Sequence, residues 1–413
     1  MSKSLLLRGG RVVTLDRSRR IVDADVLIEN GRIEKVGRSG GPSKPTTIDC
    51  TGLVVLPGLV QAHIHLCQTL FRGLADDLSL ENWLAKRIWP LEAAHTESSI
   101  HASAMLGAAE LLLGGTTAIL DMETVRHTNA AFEALESIGL RATAGKCLMD
   151  APSNPASLRE RADTALTESS DLCARWHGAA GGRLRYCFAP RFAPSCTGPL
   201  LRAVSDLAEQ AGAMIHTHAA ETPLELDTVK RETGHDEIAY LDSVGISGPR
   251  TALAHCVWVE KDGIERLARQ ATNVVHCPSS NLKLGSGLAP IPEMLAAGCR
   301  VALGADGAPC NNGLDGFTEM RLAALIQKPR LGPEAMTAAQ VLELATLGGA
   351  RALGLESEIG SIEPGKCADV IALDLAGPHA QPDAADLVSR IVYSARAADV
   401  RHVIVDGRVV VRD

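Results

Sequence analysis

"PGLVQAHIHLCQTLFRG", residues 57–73, places His63 and His65 one residue apart inside an apolar run that opens on Pro-Gly. In an extended strand, residues i and i+2 point to the same face, so both imidazoles project into one space. A buried strand tolerates this only if the rings find partners, because an unpaired polar group away from water is costly. Taken alone, the pair fits either two hydrogen-bonded core histidines or two ligands of one metal ion.

Seven further apolar runs follow at intervals: TTAILDM, LRATAGKCLM, LRYCFAPRF, AMIHTHA, TALAHCVWV, TNVVHC and RVALGAD. Strands separated by helical lengths indicate parallel βαβ units, and eight of them indicate a barrel. The interval from His63 to Asp306 matches the roughly 250 residues of a (β/α)8 barrel. A doubly wound open sheet competes, but no GxGxxG turn follows an early strand. One intervening helix is plain in "TESSIHASAMLGAAELLLGG", which opens on a cap-like Thr-x-x-Ser and stops at Gly114-Gly115. Another lies in "LDGFTEMRLAALIQK", after Asn311 and Asn312.

The two ends read differently. "KSLLLRGGRVVTLD", "DADVLIENGRIEKVG", "ADVIALDL" and "RHVIVDGRVVVRD" are short strands, with Gly9-Gly10, Asn30-Gly31 and Asp406-Gly407 as hairpin turns. The expectation is an α/β chain: a (β/α)8 TIM barrel over residues 57–357, with a small β-sandwich domain built from 1–56 plus 358–413.

Composition narrows the partners. A net charge of -8, with no basic run, argues against nucleic acid. No apolar run reaches about 18 residues, and three leucines before Arg-Gly-Gly are too few for a leader's core, so no membrane segment is expected. Eleven cysteines without a CxxC pair fit a reducing, cytoplasmic compartment. The expected partner is a small molecule.

The later strands supply what the HxH pair lacks. "IHTHAAETPLE" carries His216, His218 and Glu221, "LAHCVWV" carries His255, and "LGADGAPCNN" carries Asp306. All fall at C-terminal strand ends, the face on which barrel enzymes place their active sites. Four strand ends offering imidazole or carboxylate to one mouth point to a metal site. His216 reads as a supporting or structural ring, His276 as lining the mouth or capping the seventh strand, and Lys146 as either a structural cation or a substrate group.

With these motifs, together with "HCPSSNLKLGSG", the chain resembles the amidohydrolase superfamily, specifically its mononuclear aminohydrolase branch, over nearly its whole length. The resemblance implies His63, His65, His218 and Asp306 as ligands of one Zn2+ per chain, with Fe2+ or Mn2+ suited to the same donors. It implies Glu221 as proton shuttle and His255 as the group holding the attacking hydroxide. Asp306 would also accept the water's proton, and attack at an amidine-like carbon would expel ammonia. The fourth run holds no lysine for a two-metal bridge. Relatives of this kind commonly form homo-oligomers.

For the substrate, "IWPLE" resembles the segment by which nucleoside deaminases hold ribose hydroxyls. That implies Glu92 as a bidentate acceptor for a diol, with Trp89 stacking on a purine or simply packing. "GADGAPCNNGLDGFTEMRLAALIQK" is similar to deaminases of 5′-modified adenosines. "APRFAPSC" departs from them by placing Arg191 where many have Pro-His, and is more like guanine deaminases, in which the arginine binds the base carbonyl. The leading expectation is a metal-dependent deaminase of 5′-deoxyadenosine, methylthioadenosine or S-adenosylhomocysteine. The alternatives are a guanine deaminase, a triazine (chloro)hydrolase, or an inactive structural relative, which would lack ligands.

Overall fold

Eight parallel strands occupy the eight apolar runs: Leu59–His65, Thr116–Met122, Arg141–Gly145, Leu184–Pro190, Met214–Ala219, Thr251–His255, Asn273–His276 and Arg300–Leu303. They are nearly continuous in burial, as strands are when helices cover one face of a parallel sheet and side chains fill the other. Each strand pairs with its neighbours in chain order. The eighth pairs with the seventh through Arg300–Leu303, and a few residues on, Asp306–Gly307 pairs with Ile64 and His65 of the first, closing the ring. The fold is therefore a TIM-type barrel, in a computed structural model that describes residues 4–38 and 45–412. Parts of the expected terminal domain (1–3, 39–44 and 413) and of the leader reading (1–3) lie outside the described residues.

Closure demands close approach. At Gly304, between the two halves of the eighth strand, a Cβ would stand 2.8 Å from His63 Cβ and 2.9 Å from its carbonyl oxygen. Only glycine lets the last strand lie against the first at the level of the histidines.

The helices begin as the sequence implied. Glu97–Leu113 starts at a reciprocal Thr96–Ser99 capping box, and Gly316–Leu325 is capped by Asp315 rather than by the asparagines before it. Among the described residues, no helix is long and apolar enough to cross a membrane.

A second, mostly antiparallel sheet joins both ends of the chain: Ser4–Val13, Ile21–Glu29, Arg32–Gly37, Thr46–Asp49 and Val54–Pro57 with Val370–Leu373, Val400–Val405 and Arg408–Arg412. It surrounds its own core of Leu5, Leu7, Val26, Ile28, Val55, Val370 and Ile404. Asn30-Gly31 and Asp406-Gly407 form the expected tight turns, both residues of each at positive φ. Gly9-Gly10 is not a hairpin turn. It lies inside Ser4–Val13, where the register shifts between Leu7 and Gly10 and Gly9 takes φ 72°, the signature of a β-bulge.

Sheet and barrel are joined by a buried ion pair. Arg141, opening the third barrel strand, donates from Nε to Asp369 Oδ2 at 2.7 Å and from Nη2 to Oδ1 at 3.0 Å, just before Val370–Leu373. Both side chains are almost fully enclosed. Removing one partner strands the other's charge, so Arg141→Met is expected to lower unfolding free energy by about 3–5 kcal/mol, measured by urea titration. A loss under about 1 kcal/mol would show that the pair is not a fastening.

Candidate metal centre and active site

The strand ends bring the predicted donors together. His63 and His65 come from the first strand, His218 from the fifth, His255 from the sixth and Asp306 from the segment closing the ring. His63 Nε2 and His65 Nε2 each stand 3.3 Å from Asp306 Oδ1. Candidate ligand atoms of His63, His65 and Asp306, and of His63, His218 and His255, fall within 4.8 Å of one another in each group.

Protonation decides what the cluster is for. His65 Nδ1–H donates to the Met122 carbonyl at 2.8 Å, and His218 Nδ1–H to the Arg191 carbonyl at 2.6 Å. A carbonyl only accepts, so each neutral ring carries its proton on Nδ1 and presents a bare Nε2. Those two Nε2 atoms face each other at 3.1 Å. Two lone pairs at that distance repel unless a cation lies between them. A proton is disfavoured, because burial lowers the pKa of His65 and drives that of His218 well below 6.5. The buried His63 Nε2 also has no hydrogen-bond partner. The separation suits two ligands of one ion with metal–nitrogen bonds of about 2.0–2.1 Å. The cluster is a divalent-metal site.

Behind it, His216 Nε2 lies 2.7 Å from His63 Nδ1, setting that ring's orientation from outside the ligand group. Asp306 Oδ2 accepts from Ser280 Oγ at 2.7 Å. Burial would raise the Asp306 pKa, but the imidazoles of His63, His65 and His255 outweigh it and hold the carboxyl ionised. Burial also opposes protonation of His255, but the carboxylates of Glu221 and Asp306 and the Asn281 hydrogen bond raise its pKa above 6.5. Its Nδ1 donates to Asn281 Oδ1 at 2.9 Å, leaving Nε2 3.6 Å from Glu221 Oε2 and 3.9 Å from Asp306 Oδ2. Glu221 accepts from Ser286 Oγ at 3.1 Å, and burial pushes its pKa up to about 7.

Of these groups His65, His218, Glu221, His255 and Asp306 line a cavity of about 330 Å³. Leu80, Trp83, Leu84, Trp89, Phe192, Pro194, Leu224 and Leu284 make an apolar wall, with Gln68, Glu81, Arg191, Thr222, Glu225 and Thr228 as polar lining. Glu92 is not in the lining. It is 4% exposed, bonded by Arg191 Nη1 and Nη2 (2.7 and 3.1 Å), Gln68 Nε2 (2.9 Å) and Thr124 Oγ1 (3.3 Å). Burial would raise its pKa, but Arg191 outweighs this and keeps it ionised. Lys146 is fully enclosed, paired with Glu160 at 2.8 Å and Glu168 at 3.0 Å, outside the cavity lining. His276 is buried with neither ring nitrogen bonded.

Gln68, Ser280, Asn281 and Ser286 were not singled out from the sequence. The last three lie in "HCPSSNLKLGSG", a polar cluster directly after a buried strand, which was the available signal. Ala220, His255, Cys256 and Asp306 all take positive φ, a strained conformation for residues with side chains that marks functional turns.

Residues 54–410 match the amidohydrolase family, and the chain belongs to it. By class it is a hydrolytic deaminase. It is 41% identical over 414 residues to the 5′-deoxyadenosine deaminase of Methanothermobacter thermautotrophicus, covering 100% of this chain and 94% of that one. It is also 41% identical over 413 residues to the 5-methylthioadenosine/S-adenosylhomocysteine deaminase of Desulforudis audaxviator, covering 99% and 93%. Among solved structures, a zinc-bound adenosine deaminase from Xanthomonas campestris superposes with TM-score 0.93 at 32% identity, covering 99% and 93%.

The buried imidazoles set an acid limit on the metal-free protein. Burial lowers the pKa of His63 to about 4 and of His276 to about 3. Unfolded, both titrate near 6.5, so the unfolded chain binds more protons below that pH and stability falls as pH drops from about 6.5 through 4 to 3. Substitution isolates this contribution from that of the buried carboxyls, whose raised pKa values act in the opposite direction. In the chelated protein, His276→Leu, which loses no hydrogen bond, is expected to raise the urea midpoint at pH 5 relative to pH 7 when compared with the unmodified protein; an unchanged pH dependence would contradict the assignment.

Proposed function

We propose that this chain deaminates a 5′-modified adenosine (5′-deoxyadenosine, methylthioadenosine or S-adenosylhomocysteine), releasing ammonia and the inosine derivative. The observation that carries the reading is the Glu221 carboxyl, its pKa raised to about 7, beside His255 and the metal cluster at the floor of an apolar-walled cavity. Resemblance to the two deaminases over the full chain supports the substrate class.

His63, His65, His218 and Asp306 would hold one zinc ion, and Fe2+ or Mn2+ suits the same donors. When bound, the ion supplies Lewis acidity and brings the pKa of a water towards about 7. Glu221, partly protonated near neutrality, donates its proton to the ring nitrogen beside the amine-bearing carbon. His255, its other nitrogen fixed by Asn281, orients the attacking oxygen from beside Glu221. Asp306 takes one proton of the water as the carbon–oxygen bond forms. It passes that proton to the amine as the carbon–nitrogen bond breaks, so the leaving group departs as ammonia. The remaining hydroxyl proton returns to Glu221, leaving the ring carbonyl and a protonated ring nitrogen.

Trp89 and the apolar wall receive the flat heterocycle. Glu92 acts through Arg191 and Gln68, which it holds in place, rather than on a ribose diol. Arg191 on the cavity wall favours one second reading, a guanine deaminase, since a guanidinium suits a base carbonyl. We also infer a cytoplasmic setting, which the eleven unpaired, buried cysteines support.

Ammonia release from zinc-loaded protein should be faster with the adenosine derivatives than with guanine, cytosine or triazines. Guanine as the preferred substrate would replace the main reading with the second. Glu221→Gln should lower kcat by about 10²–10⁴-fold while elemental analysis still finds the metal. Retention of activity in that variant would remove Glu221 from proton transfer.

A further inference from the structure

Two buried glutamates flank Glu221 with no role in the chemistry above, and Glu225 also reaches the cavity lining. Ala220 N–H donates to Glu237 Oε2 at 3.0 Å, and Glu221 N–H donates to Glu225 Oε2 at 2.7 Å. The peptide between these residues is unusual. Ala220 has φ 53°, and its carbonyl accepts from both Val257 N–H and Trp258 N–H at 2.9 Å, tying the end of the fifth strand to the turn after His255. Positive φ at a non-glycine residue persists only where its surroundings hold it. Here the two carboxylates supply that hold.

The remaining carboxyl oxygens raise a question of protons. Glu237 is fully enclosed and Glu225 is 7% exposed. Glu225 Oε1 and Glu237 Oε1 are buried and reached by no donor, while the Oε2 atoms of the same two carboxyls accept from successive backbone N–H groups, which makes the carboxyls neighbours. Adjacent buried carboxyls do not both ionise. We propose that Glu225 and Glu237 share one proton as an acid–carboxylate pair and act as positioning residues, fixing the Ala220–Glu221 peptide and thereby the aim of the Glu221 carboxyl. Burial, which raises the pKa of both groups, and the charge of Glu225, which raises that of Glu237 further, agree with this.

A shared proton predicts a distinctive mutational pattern. In Glu237→Gln, the amide oxygen accepts from Ala220 N–H and the amide N–H replaces the shared proton towards Glu225. This variant should keep kcat within about threefold of the unmodified enzyme. In the double variant Glu225→Gln/Glu237→Gln, two amide NH2 groups confront each other where one proton belongs. Misplacing Glu221 by about an ångström should then lower kcat by about 10²-fold, with KM and metal content little changed. A double variant no worse than the single one, or a Glu237→Gln as damaged as Glu237→Ala, would overturn the proposal. The kinetic arm rests on Glu221 carrying the proton. An infrared difference spectrum does not: subtracting Glu237→Gln from the unmodified protein should show the loss of one protonated-carboxyl C=O band. If that band is unchanged, no proton is shared, whatever the enzyme turns over. If it is lost while neither variant alters kcat, the proton is shared but the positioning role is wrong.

Discussion

Two imidazole nitrogens held 3.1 Å apart with their lone pairs facing are not a stable arrangement of protein atoms by themselves. Both rings are pinned from behind by backbone carbonyls, one at the end of the second strand and one just after the fourth. Neither can turn away without losing its hydrogen bond. The barrel thus builds a site complementary to a cation before any cation arrives. Much else follows from that requirement: Gly304 lets the eighth strand reach His63, His216 supports the ring from behind, and Ser280 bonds the second oxygen of Asp306.

Around this centre, buried carboxyls with the same chemistry are driven to opposite states by their neighbours. Glu92 meets a guanidinium and stays ionised; Glu221 meets a serine hydroxyl and an imidazole, and burial pushes it up to about 7. The first suits a fixed charge that holds Arg191 and Gln68 in the cavity wall. The second suits a group that gives and takes protons near neutral pH. Burial is common to both, so the deciding factor is the partner.

Some of this was legible in the chain. Eight apolar runs, spaced by helical lengths, became eight strands because a strand buried on both faces has little choice of composition. The HxH pair was legible because period-two alternation puts both rings on one face. The hairpin turns at Asn30-Gly31 and Asp406-Gly407 follow from the positive φ those residues tolerate. Gly9-Gly10 misled because glycine at positive φ serves equally in a turn and in a bulge, and only the register of the partner strand separates them. At Glu92 the sequence was silent in a different way. Its segment resembles one that holds ribose hydroxyls, while the bonds that Arg191, 99 residues further along, makes to both its oxygens leave no trace in local spacing.

By itself, then, the sequence determined the barrel, the strand ends on which the chemistry sits and the residue types offered to a metal, since these depend on local periodicity and on donor chemistry. The tertiary structure alone decided which carboxyls meet imidazoles, which meets a guanidinium and which line the cavity. Protonation states and hydrogen-bond partners depend on atoms brought together from distant parts of the chain, and spacing along the sequence carries no record of those distances.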